Sequence, residues 1–231
     1  MKKENNNIFI LFLILIVSFT SCSTKMKKPV IEIKENEVGM IGYGSLLSLK
    51  SMESSLGRKY TDSVYQIHLL GYQREWTWSI PNDDKNFSEE HLNTDGFYVE
   101  GNDTIPFKKR VYLNIRVEEA TKMNCMLYII SKEELLKFDK REIGFQRLDV
   151  TDKIEELNFK GGKVYVYQAS PAYGGQPSSD RKINVISKTY IDLVSHACDS
   201  LGAEYKKEFD ATTIPYDPNI VAEKIFWLKK I

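Results

Sequence analysis

Two short stretches hold the residues best placed to do chemistry. The first is Gly42-Tyr43-Gly44-Ser45-Leu46-Leu47. It follows an apolar run, so it reads as a strand ending in a glycine-bracketed turn. Glycine lets a backbone turn sharply and approach a ligand closely. Successive N–H groups at such a turn can hold a carboxylate or a developing oxyanion. The same residues also suit an ordinary strand-to-helix turn. Ser45 is not a hydrolase elbow, because Tyr43 and Leu47 stand where Gly-x-Ser-x-Gly needs glycine. The second stretch runs from Phe138 through Asp139, Lys140, Arg141, Glu142, Ile143, Gly144, Phe145 and Gln146 to Arg147. It lies where a predicted helix ends and a strand begins. A carboxylate there faces the negative end of the helix dipole. Burial would add to that effect, and both raise its pKa. A carboxylate so tuned can serve as a general base. Left in solvent, Asp139 to Glu142 would be a plain charge cluster. His68, His91 and His196 lack ligand-like spacing, and three cysteines make neither a disulfide scaffold nor a zinc site. No metal is expected.

The elements that must position these stretches follow from periodicity. Val38–Tyr43, Val64–Tyr72 and Arg74–Ile80 read as strands, the last with Trp76, Trp78 and Ile80 at period 2. Val111, Leu113, Ile115 and Val117 alternate as on a half-buried strand. Cys125–Ile130 is short and apolar enough for a buried strand, and Val164–Gln168 is another. Ser48–Leu56 suits a short helix ending before Gly57. Ser131 followed by Glu134 fits a capping box, and that helix should stop near Gly144. Ile186, Tyr190, Val194, Ala197 and Leu201 keep helical spacing, with Gly202 placed as a C-terminal stop. Pro81–Glu90 and Ser170–Asp180 read as loops. Many strands with a few interspersed helices predict an α+β domain, a curled sheet or small mixed β-barrel with flanking helices.

Taken together, the two stretches resemble the γ-glutamylcyclotransferase superfamily. Gly-Tyr-Gly-Ser-Leu matches its first-strand turn, and Phe138–Arg147 is similar to the glutathione-degrading ChaC branch. The Met126-Leu127-Tyr128 strand, the Val164-Tyr165-Val166-Tyr167 strand and the Tyr190 helix closing at Leu201-Gly202 agree in order, so the resemblance covers about 38–210. It implies a cofactor-free reaction: the free α-amine of a γ-glutamyl group attacks its own γ-carbonyl, releasing 5-oxoproline and an amine. It implies Glu142 as the acid/base, with Tyr43, Gly44, Ser45 and Leu46 holding the carboxylate or oxyanion of a small-molecule γ-glutamyl substrate. The sequence departs from the family in three places. Leu46 stands where the family has asparagine after the serine, as in the ChaC-like branch. Phe145 and Gln146 occupy a region where many relatives carry tyrosine, and the 81–110 segment is long and polar. Tyr173 and Tyr190 suit either a substrate wall or core packing.

The first residues read as an address. Lys2 and Lys3 precede an apolar run, Ile8–Phe19, of about 12 residues, short of the ~20 that span a bilayer. Phe19-Thr20-Ser21-Cys22 resembles a bacterial lipobox with Phe19 in place of leucine, which makes Cys22 the lipidated residue; an ordinary signal peptide is the alternative. The organisation is then a signal peptide over 1–21, a tether over 22–37 and one domain over 38–231, anchored to a membrane of the bacterial cell envelope. Cys125 and Cys198 suit either a disulfide or small core residues. Lys+Arg and Asp+Glu each total 32, and this balance argues against nucleic acid as a partner. With 42% hydrophobic residues in 231, the chain can build a core. A lipid-anchored ligand-binding protein of the same fold without turnover is the alternative to an enzyme, and an envelope protein interacting through its aromatics is a third reading. Oligomeric state is not legible.

Overall fold

The structure, a computed structural model, describes residues 27–82, 84 and 94–229. Twelve strands occupy Val30–Ile33 (β1), Glu37–Gly42 (β2), Val64–Pro81 (β3), Thr94–Glu100 (β4), Asp103–Pro106 (β5), Lys109–Ser131 (β6), Phe145–Asp149 (β7), Asn158–Gly161 (β8), Val164–Ala169 (β9), Asn184–Ser187 (β10), Val221–Ala222 (β11) and Ile225–Lys229 (β12). Among the described residues four α-helices span Leu49–Leu56 (α1), Lys132–Arg141 (α2), Lys188–Leu201 (α3) and Ala203–Ala211 (α4). The main sheet has the order β11-β10-β6-β2-β9-β7, with β3 also paired to β6. It is mixed: β2 runs antiparallel to β6 and parallel to β9. β12-β4-β5 form a separate three-stranded sheet, and β1 pairs with β8. The expected α+β class and curled sheet are present. The barrel alternative is not, because the main sheet ends at β11 and β7 without closing.

β3 and β6 are the frame. They pair antiparallel along nearly their whole length, with register shifts at Leu70/Tyr72 and at Glu75/Trp78. The sequence pattern predicts each as two shorter strands, since the apolar period breaks near the first of these shifts; the second lies inside the Arg74–Ile80 pattern and is silent there. A bulge inserts an unpaired residue and bends the strand without ending it. Along β6 the expected change of pattern is met only in part. Val111, Leu113 and Ile115 are buried, but Asn114 between them is buried too and Val117 is 60% exposed, whereas Met123 to Tyr128 are buried consecutively. Asn114 is covered because its amide donates to Thr77 Oγ1 and accepts from Ala169 N–H; the continuous part is packed on by α2 and α4.

The capping box at Ser131 is complete. Ser131 Oγ accepts from Glu134 N–H, and the Glu134 carboxylate accepts from Ser131 N–H, each at 3.0 Å. The helical pattern that should stop at Gly202 does so, but the chain re-enters a helix at once as α4. α4 is held by Arg74, which is fully buried. Its guanidinium donates to Asn124 Oδ1 (2.7 Å), Thr212 Oγ1 (2.6 Å) and Thr213 Oγ1 (2.9 Å), and lies 4.0 Å from the Phe209 ring centroid. A cation at a helix C-terminus meets the negative end of the dipole, which compensates part of its desolvation.

Part of the expected tether is a strand: Val30–Ile33 pairs in parallel with β8. Cys125 and Cys198 are free and buried, as small core residues. Cys22, the lipobox and His91 lie outside the described residues, as does most of the expected 81–90 loop. Among the described residues no helix is long and apolar enough to cross a membrane.

Candidate active site

The Gly42–Leu47 turn joins β2 to a short 3₁₀ turn, Ser45–Leu47, ahead of α1. Four contacts fix it. The Tyr43 hydroxyl donates to Tyr167 O (2.8 Å), the Tyr128 hydroxyl donates to Leu46 O (2.9 Å), Leu47 N–H donates to Gly44 O (2.9 Å) and Ser48 N–H to Ser45 O (3.2 Å). Among the described residues, the N–H groups of Gly44, Ser45 and Leu46 donate to no main-chain carbonyl. Such orphan donors at the start of a helical turn are available to an anion. A side chain at position 44 would be tight: a Cβ there would lie 3.1 Å from the Tyr190 hydroxyl, which would have to give by a few tenths of an ångström.

Glu142 is the C-cap of α2. Its backbone is tied on both sides: its N–H donates to Phe138 O (2.7 Å), and its carbonyl accepts from Phe145 N–H (3.1 Å). Gly144 completes this turn with φ +83, a conformation L side chains rarely adopt, and its carbonyl accepts from Ser170 N–H at 2.9 Å. The helix end therefore aims one carboxylate at a defined place. That place is a cavity of about 300 Å³ lined by Tyr43, Gly44, Ser45, Leu46 and Glu142 together. Burial raises the Glu142 pKa, and the positive charge of Arg141 opposes part of that rise.

Arg141 joins the two stretches. Its Nη1 lies 3.0 Å from Glu142 Oε1, and its Nη2 donates to Ser45 Oγ at 2.9 Å. Sequence reasoning left this residue in a charge cluster. The cluster in fact divides: Asp139 turns away to accept from Arg147 and from the Tyr167 hydroxyl (2.7 Å), while Arg141 and Glu142 face the cavity. The remaining wall is mostly aromatic, with Ile41, Ser51, Leu113 and Leu193 beside the rings. Trp78, Tyr112, Phe145 and Tyr190 line it, in a run of ring contacts from Phe145–Trp78 (4.2 Å between centroids) through Trp78–Tyr112 (5.3 Å) to Tyr112–Tyr190 (4.9 Å). Of the two tyrosines left open by the sequence, Tyr190 is on this wall. Tyr173 packs behind Gly144, where an added Cβ would lie 2.9 Å from its ring.

A second cluster lies elsewhere. His68 on β3 has Glu156 at Nδ1 and Glu208 Oε1 at 2.7 Å from Nε2, and Glu155 Oε2 is 3.8 Å from Nδ1. Ligand-type atoms of His68, Glu155 and Glu156 lie within 4.8 Å of one another, an arrangement that could hold a metal. Each is also engaged within the protein, Glu155 by Lys122 at 2.7 Å. No local sequence signal marks it, because its members come from three distant segments. His196 is exposed.

No protein-family model matches the chain, and no curated protein does. Solved structures do. A γ-glutamyl cyclotransferase matches with a TM-score of 0.50 and 13% identity, over 81% of this chain and 94% of that one. YkqA from Bacillus subtilis matches with a TM-score of 0.49 and 13% identity, over 77% of this chain and 54% of that one. A yeast γ-glutamyl cyclotransferase specific to glutathione matches with a TM-score of 0.36 and 13% identity, over 64% and 76%. The domain has the γ-glutamyl cyclotransferase fold.

Proposed function

We propose that the protein is a γ-glutamyl cyclotransferase. The observation that carries this reading is the largely buried Glu142 carboxylate, which shares one cavity with the Tyr43–Leu46 turn and reaches Ser45 through Arg141. A substrate with its γ-carbonyl at the turn and its α-ammonium at Glu142 has nucleophile and electrophile in one molecule. Orientation, proton transfer and charge stabilisation are then the whole task.

Glu142 takes a proton from the α-ammonium. The freed nitrogen lone pair forms a bond to the γ-carbon, and the carbonyl π pair moves onto oxygen. The N–H groups of Gly44, Ser45 and Leu46 receive that oxyanion. On collapse the carbonyl re-forms and the bond to the leaving nitrogen breaks. The two protons lost by the α-nitrogen pass through Glu142 to the leaving amine, which departs as ammonium while 5-oxoproline remains. A raised pKa suits this double role, because the group must both accept and return protons near neutral pH. Arg141 has guanidinium donors to spare for the glutamyl carboxylate. No cofactor enters the scheme.

The proposal extends to location. Cys22 carries lipid and holds the domain on a membrane of the cell envelope, where each buried CH₂ contributes ~0.8 kcal/mol. Glutathione and γ-glutamyl amino acids or amines met outside the cytoplasm are its candidate substrates. The test is to incubate the detergent-solubilised full chain with a panel of these compounds and quantify 5-oxoproline and free amine. Equimolar release is expected. A folded protein that releases neither would instead be a ligand-binding protein of this fold.

A further inference from the structure

We propose, on the basis of the cyclisation reading above, that the aromatic wall selects γ-glutamyl conjugates whose leaving amine carries an apolar substituent and no carboxylate. Among the described lining residues, the formally charged ones are Arg141 and Glu142, paired at 3.0 Å. A γ-glutamyl group brings one ammonium and one carboxylate, which occupy that pair and the Tyr43–Leu46 turn. The rest of the described lining offers a leaving group no partner charge. It offers rings instead: Trp78 against Phe145 at 4.2 Å and against Tyr112 at 5.3 Å, with Tyr190 behind Tyr112. Leu193, on α3, extends this wall and is itself 40% exposed, so the apolar surface runs out towards solvent.

The two halves of the cavity therefore read different parts of one molecule. Arg141, Glu142 and the turn read the γ-glutamyl group, which every such conjugate shares. Trp78, Tyr112, Phe145, Tyr190 and Leu193 read what is attached to it. An aromatic or branched alkyl amine gains by leaving water against these rings. A leaving amino acid or dipeptide must bring its carboxylate to the same wall, where desolvation has no ionic compensation. The cavity, at about 300 Å³, sits at the small end of ligand pockets, which favours a compact leaving group over a dipeptide.

The experiment compares kcat/KM for γ-glutamyl-phenethylamide, γ-glutamyl-phenylalanine and glutathione on the full chain in detergent, beside Leu193→Lys. The amide is expected to exceed the amino-acid conjugate and glutathione by about 10-fold or more, the scale set by burying extra apolar groups in a specificity pocket. Leu193→Lys places a cation at the exposed edge of the wall. It should narrow that ratio by about 10-fold, through a lower KM for the two carboxylate-bearing substrates. Turnover in which glutathione equals or beats the amide overturns this inference and leaves the cyclisation reading standing. A ratio unmoved by Leu193→Lys overturns the assignment of the wall. A folded protein that turns over none of the three overturns the cyclisation reading, and this inference with it.

Discussion

Among the described residues Glu142 has one ionic partner, Arg141 at 3.0 Å, and its side chain is 15% exposed. His68 has carboxylates at both ring nitrogens, a third nearby, and is 26% exposed. Glu142 sits where a helix meets a strand and lines a cavity. His68 joins β3 to the segment before β8 and to α4, and its partners close over it. Both are titratable groups shifted upward, but from different causes. Burial raises Glu142 and its one counter-charge opposes the rise. At His68 burial acts downward, and the Glu156 and Glu208 carboxylates more than offset it. A group whose charge is disfavoured and under-compensated is available to exchange protons with a substrate. A group whose charge is fully compensated by its neighbours serves as a clasp.

The contrast is broken most sharply by parallel amide substitutions. Glu142→Gln should lower turnover by about 10²–10⁴-fold, the range of a lost general acid/base, with thermal unfolding little changed. Glu156→Gln, in the clasp, should leave turnover within about 2-fold, because neither Glu156 nor its partners His68 and Glu208 line the Glu142 cavity. Comparable losses in the two variants would erase the distinction.

Arg141→Met should cost about 10- to 100-fold in kcat/KM, the scale of a lost hydrogen bond to a charged group. The loss should appear mainly in KM if the guanidinium holds the glutamyl carboxylate. A smaller effect is expected from Gly44→Ala. The added methyl meets the Tyr190 hydroxyl at 3.1 Å and shifts the turn against its wall by a few tenths of an ångström. That misplacement should cost about 10-fold in kcat. Unchanged kinetics would mean that the turn does not position the reacting carbonyl.

The smallest effect belongs to the clasp and is one of stability. The folded pKa of His68 lies above its unfolded value, so the stabilisation is fully present below the unfolded pKa of about 6.5. It is lost as pH rises through the folded pKa. Glu155, Glu156, Glu208 and Lys122 are the charges facing it. Part-exposed as it is, the clasp should contribute less than about 1 kcal/mol. Urea unfolding at pH 5.5 and pH 8 should show this loss in the wild type and not in His68→Gln.

What was legible in the sequence was local. The Gly42–Leu47 turn and the Phe138–Arg147 helix end are each written in consecutive residues, and their capping and glycine signals are short-range. The β2 and β9 strands and the Ser131 capping box were legible for the same reason. The aromatic wall was not, because Trp78, Tyr112, Phe145 and Tyr190 come from β3, β6, β7 and α3 and meet only after the sheet curls. Trp76 and Trp78 looked equivalent at period 2. The bulge between Glu75 and Trp78 separates them, so Trp76 packs on Tyr216 and Tyr190 while Trp78 meets Phe145 and Tyr112. The division of the charge cluster depended on which side of α2 each side chain leaves, and its last residue, Glu142, is a cap outside helical geometry. α4 escaped because Gly202 ends one helix and begins the next.

The most direct test of the account is the pH dependence of kcat/KM for a turned-over γ-glutamyl amide, in the wild type and in Glu142→Gln. The account predicts an acid limb with a midpoint above the ordinary glutamate value of about 4.3, absent from the residual activity of the variant. A wild-type profile flat down to that ordinary value, or the same limb in both proteins, would contradict the assignment of Glu142 as the buried base.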